Sequence, residues 1–218
     1  MNYIGSKLSL LEFIEEVIIK EVEQKDNLIL CDIFSGTGVV GKYFKEKGYS
    51  VISNDIQYFS YVLAKAMIEN NGEIKFEDLK KINIDDPFIY LNNIKGRKGF
   101  IYKNYCLEGT KNNEFQRLYF TDYNAKKIDA IRLKIKKWRK DGLINEKEYF
   151  YLIANLVEAS DKIANTASVY EAFLKDIKKT AQKELEMKPL ELNIQNNDCF
   201  YFATNEDADE LIEHISGD

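Results

Sequence analysis

Proline is almost absent from this 218-residue chain: Pro87 and Pro189 are the only two, and they never adjoin. Chemistry that depends on a Pro-Pro pair is therefore excluded from these residues. Cysteine is sparse as well. Cys31, Cys106 and Cys199 are odd in number and lack C-x-x-C spacing, which argues against a disulfide framework or a zinc site and fits a reducing cytoplasm. No stretch approaches the roughly 18 consecutive apolar residues of a bilayer span, and the N-terminus lacks a secretory apolar run. Membrane insertion and export are not expected. Excess positive charge is missing too: the net charge of -5 weighs against a nucleic-acid partner unless the basic residues are clustered, since phosphates attract Lys- and Arg-rich surfaces. What the chain does have is apolar side chains, 45% of its residues, enough to bury a core as one domain or one domain with a large insertion.

Leu8, Leu11, Ile14, Ile18 and Val22 recur at helical spacing and predict an amphipathic helix over Leu8 to Glu23. Leu28 to Cys31 is a continuous apolar run, as in a buried parallel strand, and ends in Asp32-Ile33-Phe34-Ser35-Gly36-Thr37-Gly38. A helix over Val39 to Lys47, a strand over Tyr49 to Ser53 ending at Asn54-Asp55, and a helix over Tyr58 to Asn70 follow. This alternation predicts an open α/β sheet with a ligand crevice at the strand ends.

From about Gly72 to Pro189 the alternation breaks. A polar loop containing Gly96-Arg97-Lys98-Gly99 leads into helical patterns over Lys126 to Lys140, Glu146 to Ala164 and Tyr170 to Leu185. The first of these places Ile128, Ile131, Ile135 and Trp138 on one face and covers the rest with Lys and Arg, a basic stripe in an acidic protein. Beyond Pro189, Leu190 to Ile194 alternates like a short strand closed by Asn196-Asn197-Asp198, and Asp207 to Ile215 predicts a final helix.

Gly36, Gly38 and Gly41 form G-x-G-x-x-G between a strand and a helix, where glycine permits a tight turn and a close ligand. That loop fits a dinucleotide or S-adenosylmethionine. Asp32 favours the second, because a carboxylate there would oppose a pyrophosphate and attract an ammonium or sulfonium. Asp55 can accept hydrogen bonds from ribose hydroxyls in either ligand, and Asp198 would be a third acid on the same sheet edge, within reach of an adenine amino group.

Asn2-Tyr3-Ile4-Gly5-Ser6-Lys7, the run from Asp32 to Gly38, and Asn54-Asp55-Ile56-Gln57 resemble, in order, the ligand-binding motifs of the D12, Dam-like class of DNA adenine N6-methyltransferases. Gly99 to Tyr105, Arg117 to Thr121 and Asn165 to Tyr170 extend the resemblance over nearly the whole chain. It implies a Rossmann-like S-adenosylmethionine-binding domain from 1–71 and 190–218, its last strands absent, with a mainly helical DNA target-recognition insertion at 72–189. It further implies that Tyr3, Gly5, Ser6 and Lys7 lie over the methionine part of the cofactor. Asp32, Phe34 and Gly36 would line the methionine and sulfonium pocket, with Ile33, Ser35, Thr37 and Gly38 beside them; Asp55 and Ile56 would meet the ribose, and Asp198 and Cys199 the adenine. Double-stranded DNA would contact Arg97, Lys98, Lys103, Lys134, Lys136 and Lys137. The family's Asp/Asn-Pro-Pro-Tyr motif, which activates the adenine amino group, has no counterpart here, and Asp85-Asp86-Pro87-Phe88 matches it only superficially. The expectation is a cofactor- and DNA-binding portion, cut short before its catalytic motif and inactive alone, whose partner would be a complementary fragment or a restriction endonuclease. A dinucleotide-dependent enzyme and a non-catalytic DNA-binding module are the competing readings.

Overall fold

The structure is a computed structural model and describes residues 5–22, 28–167, 174 and 176–215. The chain divides into two compact units, Gly5–Ile74 with Glu191–Asp218, and Lys75–Leu190.

The first unit is built on three parallel strands, β1 (Ile29–Asp32), β2 (Ser50–Asn54) and β3 (Tyr201–Thr204), in the order β1-β2-β3. Leu30 pairs with Val51 and Val51 with Tyr201, so the three strands end together at Asp32, Asn54 and Thr204. A 3-10 turn at Lys7–Leu10 leads into α1 (Leu11–Glu21); α2 (Val39–Glu46) follows β1, and α3 (Tyr58–Ala64) follows β2 and continues as a π-helical turn, Lys65–Glu69. Val40, Phe44, Val51, Ala64, Ile68, Tyr201 and Ala203 make the buried core, and Leu11, Ile14 and Ile18 of α1 lean against it as their spacing predicts, whereas Leu8 is exposed. Lys45 is fully buried in this core, and its ammonium donates to the carbonyls of Ile68 (2.8 Å) and Asn70 (2.9 Å), closing the π-helical turn.

The strand expected over Leu190–Ile194 does not form. Just beyond it, Asn71 holds the backbone of Gln195, its amide donating to the Gln195 carbonyl (2.8 Å) while its Oδ1 accepts from the Gln195 N–H (2.7 Å). The third strand lies further on, where Tyr201 and Ala203 alternate with exposed Phe202. A short helix, α9 (Ala208–Leu211), starts at the cap residue Asp207.

The second unit is helical. Three short helices, α4 (Glu77–Lys80), α5 (Pro87–Asn92) and α6 (Phe100–Tyr105), precede the long pair α7 (Asp122–Lys140) and α8 (Glu146–Lys162). Ile128, Ile131, Ile135 and Trp138 are buried as the apolar face of α7. Asn145 and Glu148 form a capping box that starts α8. The helix expected over Tyr170–Leu185 is a correction: residues 170–173 and 175 lie outside the described residues, and 176–185 run through turns. Asparagine side chains replace the helical hydrogen bonds there. Asn165 binds Asp176 and Lys178, Asn124 binds Lys183 and Leu185, and Asn92 and Asn155 hold Met187 and Leu190. No described helix is long and apolar enough to cross a membrane.

Candidate functional site

The carboxyl ends of β1 and β2 carry the glycine loop and its acids. Gly36 and Gly38 both have left-handed backbone, φ 53° and 75°, which L side chains rarely adopt. Gly41 matters for packing instead. A Cβ there would come within 2.7 Å of Ile68 Cδ1 and 2.8 Å of Ser53 Oγ, so its lack of a side chain lets α2 lie against the sheet. Asp55, just past β2, accepts from the Gly36 N–H through Oδ2 (2.8 Å) and from the Gln57 N–H through Oδ1 (2.8 Å), fastening the loop to the neighbouring strand end. Each oxygen keeps lone-pair capacity for a hydroxyl.

Asp32 is buried at the end of β1. Its Oδ1 accepts from the Lys7 ammonium at 2.8 Å, and Lys7 also donates to the carbonyl of Phe34 at 3.0 Å. Asp32 Oδ2 and the Ser35 hydroxyl are both buried without a hydrogen-bond partner among the described residues. Buried polar atoms are ordinarily satisfied, and two orphans in one loop make it a candidate for binding a polar ligand. Phe34 and Ile56 are about two-thirds exposed, 65% and 66%, and give the rim an apolar lining. Ile33 and Thr37 are half-buried within the same loop.

Asn54 holds this edge together, a role that no sequence motif assigns to it. Its buried amide donates to the carbonyls of Ile33 (3.2 Å) and Glu206 (3.1 Å) and accepts from Thr204 Oγ1 (2.8 Å) and the Glu206 N–H (3.0 Å). Its position beside Asp55 at a strand end is the available signal.

Of the other predicted cofactor contacts, Tyr3 lies outside the described residues, Gly5 is exposed with φ 86°, and Ser6 caps the 3-10 turn. Asp198 and Cys199 do not join the cluster. They precede β3 rather than follow a strand, and Cys199 Sγ donates to the carbonyl of Gly48, which precedes β2. The expectation of a third acid on the same sheet edge is thereby corrected: Asp198 is exposed at the amino end of the sheet, the end away from Asp32 and Asp55.

The predicted DNA contacts all belong to the helical unit. Arg97, Lys98, Lys103, Lys136 and Lys137 are exposed. Lys137 pairs with Asp141 at 2.7 Å, and Lys134 lies over the rings of Tyr90 and Trp138. Asp86 and Pro87, the superficial catalytic lookalike, are the cap and first residue of α5, with Asp86 Oδ1 accepting from Phe88 N–H (2.7 Å).

A family model described as D12 class N6 adenine-specific DNA methyltransferase matches residues 3–215. The chain is 44% identical over its whole length to the type II methyltransferase M.FokI of Planomicrobium okeanokoites, covering 33% of that protein. It is 41% identical to the type II methyltransferase M.NlaIII of Neisseria lactamica, covering 62%, and 40% identical to modification methylase StsI of Streptococcus sanguinis, covering 32%. The chain thus spans between about a third and three-fifths of these relatives. No solved structure matches it significantly.

Proposed function

Since the chain belongs to the D12 class of N6 adenine-specific DNA methyltransferases, we propose that it binds S-adenosylmethionine at the glycine-loop edge of a Rossmann-like sheet and serves methyl transfer to adenine in double-stranded DNA. The observation that carries this reading is the Asp32–Lys7 pair with its unpartnered buried oxygen. The methionine end of the cofactor is a zwitterion. Asp32 Oδ2 can receive its ammonium, while Lys7, with two of its three N–H donors engaged, has one for its carboxylate. Asp55 supplies acceptors for the ribose hydroxyls, with Ile56 and Phe34 as apolar walls. A dinucleotide would instead set phosphates against the Asp32 carboxylate.

Bound S-adenosylmethionine supplies an electrophilic methyl group on sulfur. This chain's residues orient it: the glycine loop admits the ligand to the backbone, and Asp32 and Asp55 fix its two ends. Groups that accept hydrogen bonds from the adenine amino group would lower the barrier as positive charge develops on that nitrogen. The family supplies them in the Pro-Pro motif that residues 1–218 do not contain. Residues 1–218 are therefore expected to bind cofactor and DNA without transferring methyl groups, and transfer is expected only together with residues that carry the motif.

Isothermal titration tests the reading. S-adenosylmethionine should bind and NAD should not, and Asp55→Ala or Asp32→Ala should weaken cofactor binding by about 1–3 kcal/mol, the cost of leaving site groups unpaired. Unchanged affinity in a folded variant would remove that residue from the site. A tritium-transfer assay addresses catalysis: N6-methyladenine made by residues 1–218 alone would refute the assignment of the chemistry to the missing motif.

A further inference from the structure

Between Lys95 and Lys140 the chain carries fourteen Lys and Arg against four Asp and Glu, although its net charge is -5. One part of this segment brings cations together around an aromatic ring. The loop Gly96-Arg97-Lys98-Gly99 lies directly on α7: the Arg97 N–H donates to the carbonyl of Lys126 at 2.9 Å, and a Cβ on Gly96 would come within 3.0 Å of Lys126 Cβ. A Cβ on Gly99 would strike the Asp129 carboxylate at 2.6 Å, the same carboxylate that accepts from the N–H groups of Ile101 and Tyr102 at the start of α6. Gly99 therefore leaves no room for a side chain while Asp129 keeps these bonds, and Gly96 packs closely on Lys126. As a result the ammonium groups of Lys98 and Lys126 each stand 5.0 Å from the centre of the Tyr102 ring. The Tyr102 side chain, and after it Glu108, favour the charged form of Lys98 and keep its ammonium available to an anion. The nearby carboxylate, Glu108, reaches Lys98 only at 3.8 Å with both side chains largely exposed, a weak pairing.

We propose that Arg97, Lys98 and Lys126 form a clamp for a single backbone phosphate of duplex DNA, with Tyr102 holding the two ammonium groups in register and Glu108 as the displaceable competitor. The proposal rests on the reading of the helical unit as the DNA-binding part. It adds Lys126 to the contact residues and gives three cations one shared target, where a scattered basic surface would engage a phosphate with each.

Anisotropy of a fluorescein-labelled DNA duplex, titrated with the full chain over a range of salt concentrations, tests it. Arg97→Gln/Lys126→Gln, which keeps both stems, should lower the slope of log affinity against log salt by about 0.9 and the affinity about eightfold at about 0.1 M salt, one phosphate contact's worth. Glu108→Gln should tighten binding, a change that a purely structural role for this cluster does not produce. A slope change near 1.8 would mean two separate phosphates and overturn the shared clamp. An unchanged slope with a native circular-dichroism spectrum, or no tightening by Glu108→Gln, would overturn it as well. Absence of duplex binding by the wild-type chain at low salt would instead defeat the underlying DNA-binding reading, and the clamp with it.

Discussion

Two charged residues illustrate how burial assigns roles. Asp32 is buried with one oxygen satisfied and the other without a partner among the described residues, which makes it the candidate for a ligand. Lys45 is buried with its donors directed at two carbonyls and its charge 4.4 Å from the Tyr201 ring centre, so it serves the fold. Removal from water disfavours the charged amine and draws its pKa from the ordinary lysine value down to about 8. The unfolded chain then binds more protons than the folded one between about pH 8 and 10.5, and stability rises with pH wherever that holds. Relative to Lys45→Met, the wild-type chain should gain stability across this window, by at most about 1.4 kcal/mol per pH unit. Urea unfolding of both proteins at several pH values measures the difference; a wild-type advantage that shrinks on going alkaline would contradict the burial argument. Below pH 8 both states carry the proton and the difference should be flat.

At the level of elements, the π-helical turn that ends α3 packs against α2 and its glycine loop. Ile68, fully buried, lies beneath Gly38 and Gly41. Gly41→Ala should therefore destabilise the first unit by about 1–3 kcal/mol, the usual cost of forcing a methyl into a packed site. Part of that loss should return in Gly41→Ala/Ile68→Val, and a thermal-denaturation double-mutant cycle with no coupling would show that the two do not meet. β1, α2, β2, α3, α7 and α8 were legible in the sequence from apolar spacing and end signals within each segment, whereas the short helices α4, α5 and α6 and the strand β3 were not. Two expected elements did not form, for one reason. The backbone near Gln195 and between Asp176 and Leu190 is bonded by asparagine side chains from distant residues, Asn71, Asn92, Asn124, Asn155 and Asn165. Periodicity cannot report a partner that lies elsewhere in the chain.

For the whole molecule, the important feature is segregation of charge. The stretch from Lys95 to Lys140 is strongly basic within an acidic chain, and the cofactor candidates Lys7, Asp32 and Asp55 belong to the other compact unit. Replacing Lys134, Lys136 and Lys137 with Glu should weaken duplex binding and flatten its salt slope, since counterions released from phosphates drive such binding. The same variant should bind S-adenosylmethionine like wild type. Lys137 already pairs with Asp141, so Lys134→Glu/Lys136→Glu should account for most of the loss. Parallel titrations with DNA and cofactor check this; a matching fall in cofactor affinity would tie the two activities together and contradict the division.

The sequence by itself determined the glycine loop, the acids at the ends of β1 and β2, and the basic stripe, because each is a short pattern whose chemistry depends on neighbours a few residues away. Only the tertiary structure decided which acids share an edge. Asp198 fell away because strand pairing placed β3 after it, matching Val51 to Tyr201 across the length of the inserted helical unit. Asn54 emerged as the tie among three strand ends for the same reason, since its partner Glu206 is 152 residues distant. Long-range pairing is chosen by which groups can satisfy one another once the core has closed, and no local pattern encodes that choice.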